Sequence, residues 1–478
     1  MRALILLHRW LGVAFCLLFA MWFASGIVMH FVSFPAFTKA NRFAGLAPID
    51  PADVRYGPAQ AVAASKLGDA VRVRLTQRSD GPIYLVSDSS RTTALHTADL
   101  SSASVHSPDL ALAIAKDYAA RRQWDASAAS IAAPVSYDQW TVAEQYDRDR
   151  PLYRVPLNDT PGTALYVSSA TGEIILDTTR RQRFWNYAGS VAHWIYPTVL
   201  RSHPSAWSRL LWWLSLLALI GASAGAATGL LRLGADGSRF ASPYRGWQAW
   251  HHWLGLCSML FVLTWIFSGW LSMDSGVLFS TGKPLASETA AIIGAPDWSA
   301  LPNDEAQHLD PQTVEAEWFA VGGHIYRRER TAFGREQLSV AGSEDAVASD
   351  RTFLRPDEID AAISHLGRSC DAARAIGADD GYAAASNTPS APVLRAVCGE
   401  DWFDIDASNG TLLEKLDPSR RAYRWLFGGL HTLDLPVLTA RPALRTALIV
   451  ALCGLGFVFS LTGVVIAWRR LASCFHSP

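Results

Sequence analysis

The sequence predicts an integral membrane α-helical fold with four transmembrane helices in an internal parallel repeat, carrying two α+β domains outside the bilayer. Three observations predict it. Four apolar runs are long enough to cross a membrane, two long polar segments separate them, and the halves of the chain resemble each other.

Composition comes first. Half of the 478 residues are hydrophobic, 19 are Trp and 18% are charged. That balance fits membrane spans plus soluble parts better than a soluble enzyme. The formal net charge is −1, so no bulk attraction to nucleic acid is indicated.

A span needs about 20 apolar residues. Residues 10–38 contain no Asp, Glu, Lys or Arg, and 210–231, 253–273 and 446–468 are likewise uncharged runs with charged or histidine flanks. The first run far exceeds the ~7–15 apolar residues of a signal peptide and reads as an uncleaved anchor. The expected organisation is a transmembrane helix at 1–38, a soluble domain at 39–190, a histidine segment and second helix at 191–232, and a loop at 233–252. A third helix at 253–274, a second soluble domain at 275–430, a histidine segment and fourth helix at 431–470 and a tail at 471–478 complete it.

Four spans put both termini and the 233–252 loop on one side. Arg flanks both sides, so a raw count does not decide, and long domains translocate largely regardless of charge. The short segments therefore carry the vote, and each is net positive. The reading is a bacterial inner membrane protein with cytoplasmic termini and periplasmic large domains.

The repeat is visible in residue pairs. Leu7-His8-Arg9-Trp10-Leu11-Gly12 matches Trp250-His251-His252-Trp253-Leu254-Gly255. The same offset aligns Trp22 with Trp265 and Ser25-Gly26 with Ser268-Gly269. Before the second span of each half, 166–172 parallels 403–410; His193 lies 21 residues after Gly172, and His431 lies 21 after Gly410. Thr228-Gly229 corresponds to Thr462-Gly463. Both halves run span, domain, span in one direction, which implies a pseudo-twofold axis along the membrane normal. Within the domains, 152–155 with 164–167 and 393–397 with 402–405 read as paired strands. Residues 110–120 and 357–366 read as helices.

Six cysteines are present, and only Cys370 and Cys398 fall in a soluble stretch. In an oxidising compartment they form either a disulfide or two free thiols. No Cys-x-x-Cys-His occurs, which excludes c-type haem attachment.

The histidines carry the chemistry. A lone imidazole at a helix end is ordinarily an amphipathic interface residue. The repeat changes that reading. His8 and His251 share one depth, and His193 and His431 share another. A twofold axis makes each pair two imidazoles facing each other, suited to the axial positions of haem iron. Gly12 and Gly255, one turn after His8 and His251, leave room for a porphyrin or serve close helix packing. Rival ligands are His252, beside His251, and His30, which shares a helix face with His8 and has Met273 as its repeat counterpart. The basic residues Arg180, Arg181, Arg183, Arg420 and Arg421 form either a solvated face or counter-charges for an anion.

These motifs, together with the strand–turn patterns around Gly172 and Gly410, resemble the PepSY-associated transmembrane proteins, among them the FoxB/PiuB-type inner-membrane ferric-siderophore reductases. The resemblance covers nearly the whole chain. It implies two PepSY-like periplasmic domains and two b-type haems per chain. The implied ligands are His8, His251, His193 and His431. The implied activity is electron delivery to a periplasmic ferric siderophore or other ferric chelate. No Gly-x-Gly-x-x-Gly fingerprint follows a strand, so the donor is a separate quinol or cytoplasmic reductase. The alternative is a membrane-tethered PepSY binding or peptidase-regulating module without a redox cofactor.

Overall fold

The computed structural model describes residues 1–234, 241–274, 276–342, 351–377, 379–382 and 391–475. Among the described residues four helices are long and apolar enough to cross a bilayer: Arg2–Phe31, Pro204–Arg232, Trp247–Leu271 and Pro442–Phe475. The shortest has 25 residues, about 37 Å of helix, against a hydrocarbon core of ~30 Å.

The helix limits differ from the hydropathy limits for local reasons. The first helix starts at Arg2 and stops at Phe31, because Val32 is extended and Pro35 lacks the N–H to continue it. Residues 32–38 are apolar but not helical. The third helix starts at Trp247, after Gly246 at φ +58, so His251 and His252 lie inside it rather than in the preceding loop. The fourth begins with Pro442, whose fixed φ suits a first helical turn.

The spans form a ring. The first packs on the fourth and the second, and the third packs on the same two. Spans one and three therefore face each other across the bundle, around an apolar centre that includes Phe15, Phe23, Val262, Trp265 and Ile449.

Outside the spans, β1 (Arg72–Arg78), β2 (Gly81–Ser87) and β3 (Thr92–His96) form an antiparallel meander. A helix at Pro108–Arg121 precedes a second meander of β4 (Leu152–Pro156), β5 (Ala164–Ser168) and β6 (Ile174–Thr178). The later segment repeats this plan. It has β7 (Thr313–Val321), β8 (His324–Thr331) and β9 (Glu336–Val340), then a helix at Pro356–Ser364. It ends with β10 (Arg374–Ala375), β11 (Val393–Cys398), β12 (Asp401–Asp406) and β13 (Leu412–Leu416). The strand pairs β4–β5 and β11–β12 and the two helices expected from sequence are present; the remaining strands, β6 and β13 among them, are additions to that expectation.

The two segments share one sheet. β1 pairs antiparallel with β7, giving the order β3-β2-β1-β7-β8-β9. Tyr84, Leu75 and Trp318 meet in one buried core that spans the joint. Charge also crosses it. Arg42 makes a bidentate pair with Glu315 across the joint, and Arg74, 3.5 Å from the same carboxylate, makes its own bidentate pair with Glu173 at 2.7 Å within the first segment. Burial alone would raise the Glu315 carboxyl, but Arg42 and Arg74 outweigh it and hold the group well below the usual carboxylate range. A carboxylate buried with such partners is strongly destabilising to orphan.

Cys370 and Cys398 form a disulfide that ties the end of β11 to the segment after the Pro356–Ser364 helix.

Candidate functional site

Spans one and three each carry a histidine toward the bundle axis on the side of the chain termini. The His8 and His251 ring centres are 6.2 Å apart, with planes at 31°. His8 Nδ1 lies 3.1 Å from the Gly221 carbonyl oxygen. A carbonyl only accepts, so Nδ1 carries the proton and Nε2 keeps its lone pair. His251 Nδ1 lies 2.9 Å from Thr462 Oγ1, whose own proton goes to the Phe459 carbonyl. The hydroxyl therefore accepts from Nδ1, and again Nε2 is left with its lone pair.

The second pair sits on the side of the soluble domains and is built differently. His193 and His431 are not on spans. Each follows a short π-helical stretch, Tyr187–Val191 or Arg424–Gly429, a geometry that concentrates at functional sites. Their ring centres are 6.3 Å apart with planes at 66°. His193 Nδ1 lies 3.0 Å from Ser25 Oγ, and His431 Nδ1 lies 3.1 Å from Ser268 Oγ. Both serine protons go to helix carbonyls one turn back, so both Nδ1 atoms are donors. Two residues beyond each histidine the backbone turns left-handed, at Ile195 (φ +46) and Leu433 (φ +51). That region is strained for a β-branched isoleucine, and strain of this kind persists only where the surroundings impose it. Trp207 Nε1 donates to the Ile195 carbonyl at 3.1 Å, and Arg424 bonds Asp434 at 3.1 Å.

All four histidines thus share one tautomer, and among the described residues no hydrogen bond engages any of their Nε2 atoms. Close backbone approach makes room for the rings. A Cβ at Gly225 would fall 2.5 Å from His8 Cε1. Gly463, Gly26 and Gly269 lie in the same relation to His251, His193 and His431, at 3.5, 3.7 and 3.3 Å.

The rival histidines fare otherwise. His252 engages both nitrogens, Nδ1 with Ser242 Oγ at 2.8 Å and Nε2 with the Gly229 carbonyl at 2.9 Å. It acts as a structural tie between the second and third helices. His30 Nε2 bonds Thr446 Oγ1 at 2.9 Å, and among the described residues no second imidazole faces it. Met273 lies past the end of the third helix. Of the basic residues, Arg183 bonds Thr178 and the Gly162 carbonyl, Arg420 bonds Glu414, and Arg421 bonds the Glu400 and Leu416 carbonyls. These three guanidiniums secure local turns.

A cavity of about 380 Å3 adjoins the first pair, lined by His8, His251, Gly12, Thr228, Tyr244 and Arg470 among others. Gly12 opens into free space, whereas a Cβ at Gly255 would lie 3.1 Å from Phe459. So Gly12 provides room, and Gly255 mainly serves packing. The Thr228 hydroxyl is buried there without a hydrogen-bond partner among the described residues.

This arrangement suits a planar macrocycle carrying a metal. Two imidazoles bound through Nε2 at ~2.0 Å would have ring centres about 6 Å apart, as both pairs do. Among the described residues no group of three or more His, Cys, Asp or Glu is placed to hold a bare metal ion; the histidines come in twos. Ser25, Ser268, Gly221 and Thr462 are the orienting partners that a search for ligands alone passes over. Three of the four fall in residue pairs that the repeat had already aligned.

A ring of four membrane-crossing helices, capped by a shared sheet and threaded by two histidine pairs, defines a multi-pass membrane protein organised around its bundle axis. The chain belongs to the family described as the PepSY-associated TM region, which matches residues 5–470. No curated protein matches the chain.

Proposed function

We propose that the protein is a di-haem b oxidoreductase of the bacterial inner membrane. It would pass electrons from a quinol or cytoplasmic reductase to a periplasmic ferric siderophore or similar ferric chelate. The observation that carries this reading is the two histidine pairs, matched in ring separation and tautomer, at two levels of one bundle. His8 with His251 would hold one haem, and His193 with His431 the other. Haem supplies a reversible one-electron carrier at each level.

The chain's own residues do the rest. Gly221, Thr462, Ser25 and Ser268 fix the imidazoles with Nε2 free, and such orienting partners tune a ligand's basicity. Ser25 follows His8 by 17 residues on one helix, about 26 Å of rise, so the two levels lie near opposite faces. Phe23, Phe261 and Trp265, with ring centres 5.7–6.3 Å apart, fill the bundle between them and exclude water.

Two observations support the sidedness. The Cys370–Cys398 disulfide suits an oxidising compartment, and the short segments on the terminal side are basic. The palindromic strand order and the paired π-helical stretches support the internal repeat.

The test is oxidation of the dithionite-reduced protein by ferric siderophores, followed in the visible spectrum. Rapid reoxidation under anaerobic conditions with Fe(II) release is expected. Inertness toward several ferric chelates would reject the acceptor, and no haem at all would reject the whole reading.

A further inference from the structure

A second polar site lies away from the bundle, where β8 meets the turn after β12. Arg328 is 6% exposed, yet its Nε and Nη2 have no hydrogen-bond partner among the described residues. Ser408 is 4% exposed, and its Oγ is equally unpartnered; its backbone N–H donates to Asp406 Oδ1 at 2.8 Å. Both residues line one pocket of about 190 Å3 with Lys39, Arg330, Glu336 and Phe353. The pocket shares Lys39, Arg328 and Arg330 with a chamber of about 640 Å3 at the β1–β7 joint.

The carboxylates near Arg328 are committed elsewhere. Glu317 lies 3.6 Å from Arg328 Nη1 but 3.1 Å from Arg72 Nε. Glu336 is 4.0 Å from Arg328 Nε and hydrogen-bonds Arg330. Lys39 is half-exposed and 3.8 Å from Asp406. Three cations therefore line the pocket against one carboxylate. Buried donors normally find acceptors, and leaving a guanidinium short of them is costly. Nε and Nη2 form one edge of the guanidinium, the edge that grips a carboxylate or phosphate with two parallel bonds.

We propose that this pocket binds a small soluble oxyanion, a carboxylate or phosphate group, on the Nε–Nη2 edge of Arg328, with the Ser408 hydroxyl and Lys39 as further donors. The site does not depend on the haem reading. Its position beside the β1–β7 joint would let the ligand stabilise the contact between the two halves.

The test is isothermal titration of the full-length protein in phosphatidylcholine nanodiscs with sodium phosphate and with sodium citrate, against sodium chloride of equal ionic strength. Saturable binding of at least one oxyanion is expected. Arg328→Gln should weaken it by about tenfold or more, the loss of a charge-assisted bidentate contact. Glu336→Gln should strengthen it several-fold, since it removes the one lining carboxylate; a variant that merely unfolds would not bind more tightly. No saturable binding beyond chloride, equal affinity in all three proteins, or weaker binding in Glu336→Gln would overturn the proposal. Unchanged affinity in nanodiscs containing phosphatidylglycerol supports a soluble ligand. Competition by that lipid would overturn the soluble assignment in favour of a headgroup.

Discussion

The two histidine pairs reach the same ring separation by different routes. His8 and His251 stand on continuous helices, close to a cavity that Gly12 leaves open. His193 and His431 stand just after π-helical stretches outside the spans, anchored by serines from spans one and three and followed by left-handed residues. The first pair is held by regular secondary structure. The second is held by tertiary contacts that impose local strain. The difference teaches that both sites take their orienting partners from neighbouring elements, at Gly221 and Thr462 for the first pair and Ser25 and Ser268 for the second, but only the second also needs a locally distorted backbone.

The largest expected effects separate the two levels. His8→Ala should abolish haem at the terminal side and leave the other, and His431→Ala should do the reverse; difference spectra and the haem-to-protein ratio check this. Loss of both haems in His431→Ala alone would mean that the domain-side pair organises the whole bundle.

Gly12→Leu comes next. It places a side chain where a Cβ meets nothing within 4 Å, so the fold should tolerate it while haem at the first pair is lost selectively. Equal loss at both levels would break the distinction. Ser25→Ala with Ser268→Ala should act only on the second pair and weaken haem retention there by about 10- to 100-fold, measured by transfer to apomyoglobin.

Smaller effects are structural. The disulfide closes a loop with a separation of 28 residues. Cys370→Ser with Cys398→Ser should lower the stability of the extramembrane part by roughly 3–4 kcal/mol on the chain-entropy view, seen in thermal unfolding, with both haem signals unchanged. His252→Ala should cost roughly 1–3 kcal/mol for two lost hydrogen bonds, with full haem content. A lost haem signal in His252→Ala would return this residue to the ligand set.

Much of the fold was legible in the sequence because membrane spans are signalled by length and lack of charge alone. The helix limits were less so: 32–38 is as free of charged residues as the span before it, and lack of charge does not register that Val32 is extended. The joint between β1 and β7 left no trace in the sequence, because strand pairing across some 240 residues depends on how the spans bring the two segments together. The choice of His251 over His252 rested on the repeat; that His252 has both nitrogens engaged could not be read from the sequence. The strain at Ile195 and Leu433 had no signature, as neither residue type favours a positive φ. That Arg328 keeps two donors without a partner among the described residues was equally invisible, since arginine in a strand ordinarily reads as a solvated face.

The haem content of the purified full-length protein, expressed with adequate haem, tests the central claim most directly. Two b-type haems per chain, with low-spin bis-imidazole spectra, is the expected result. A protein that folds in the membrane with no Soret band would contradict it.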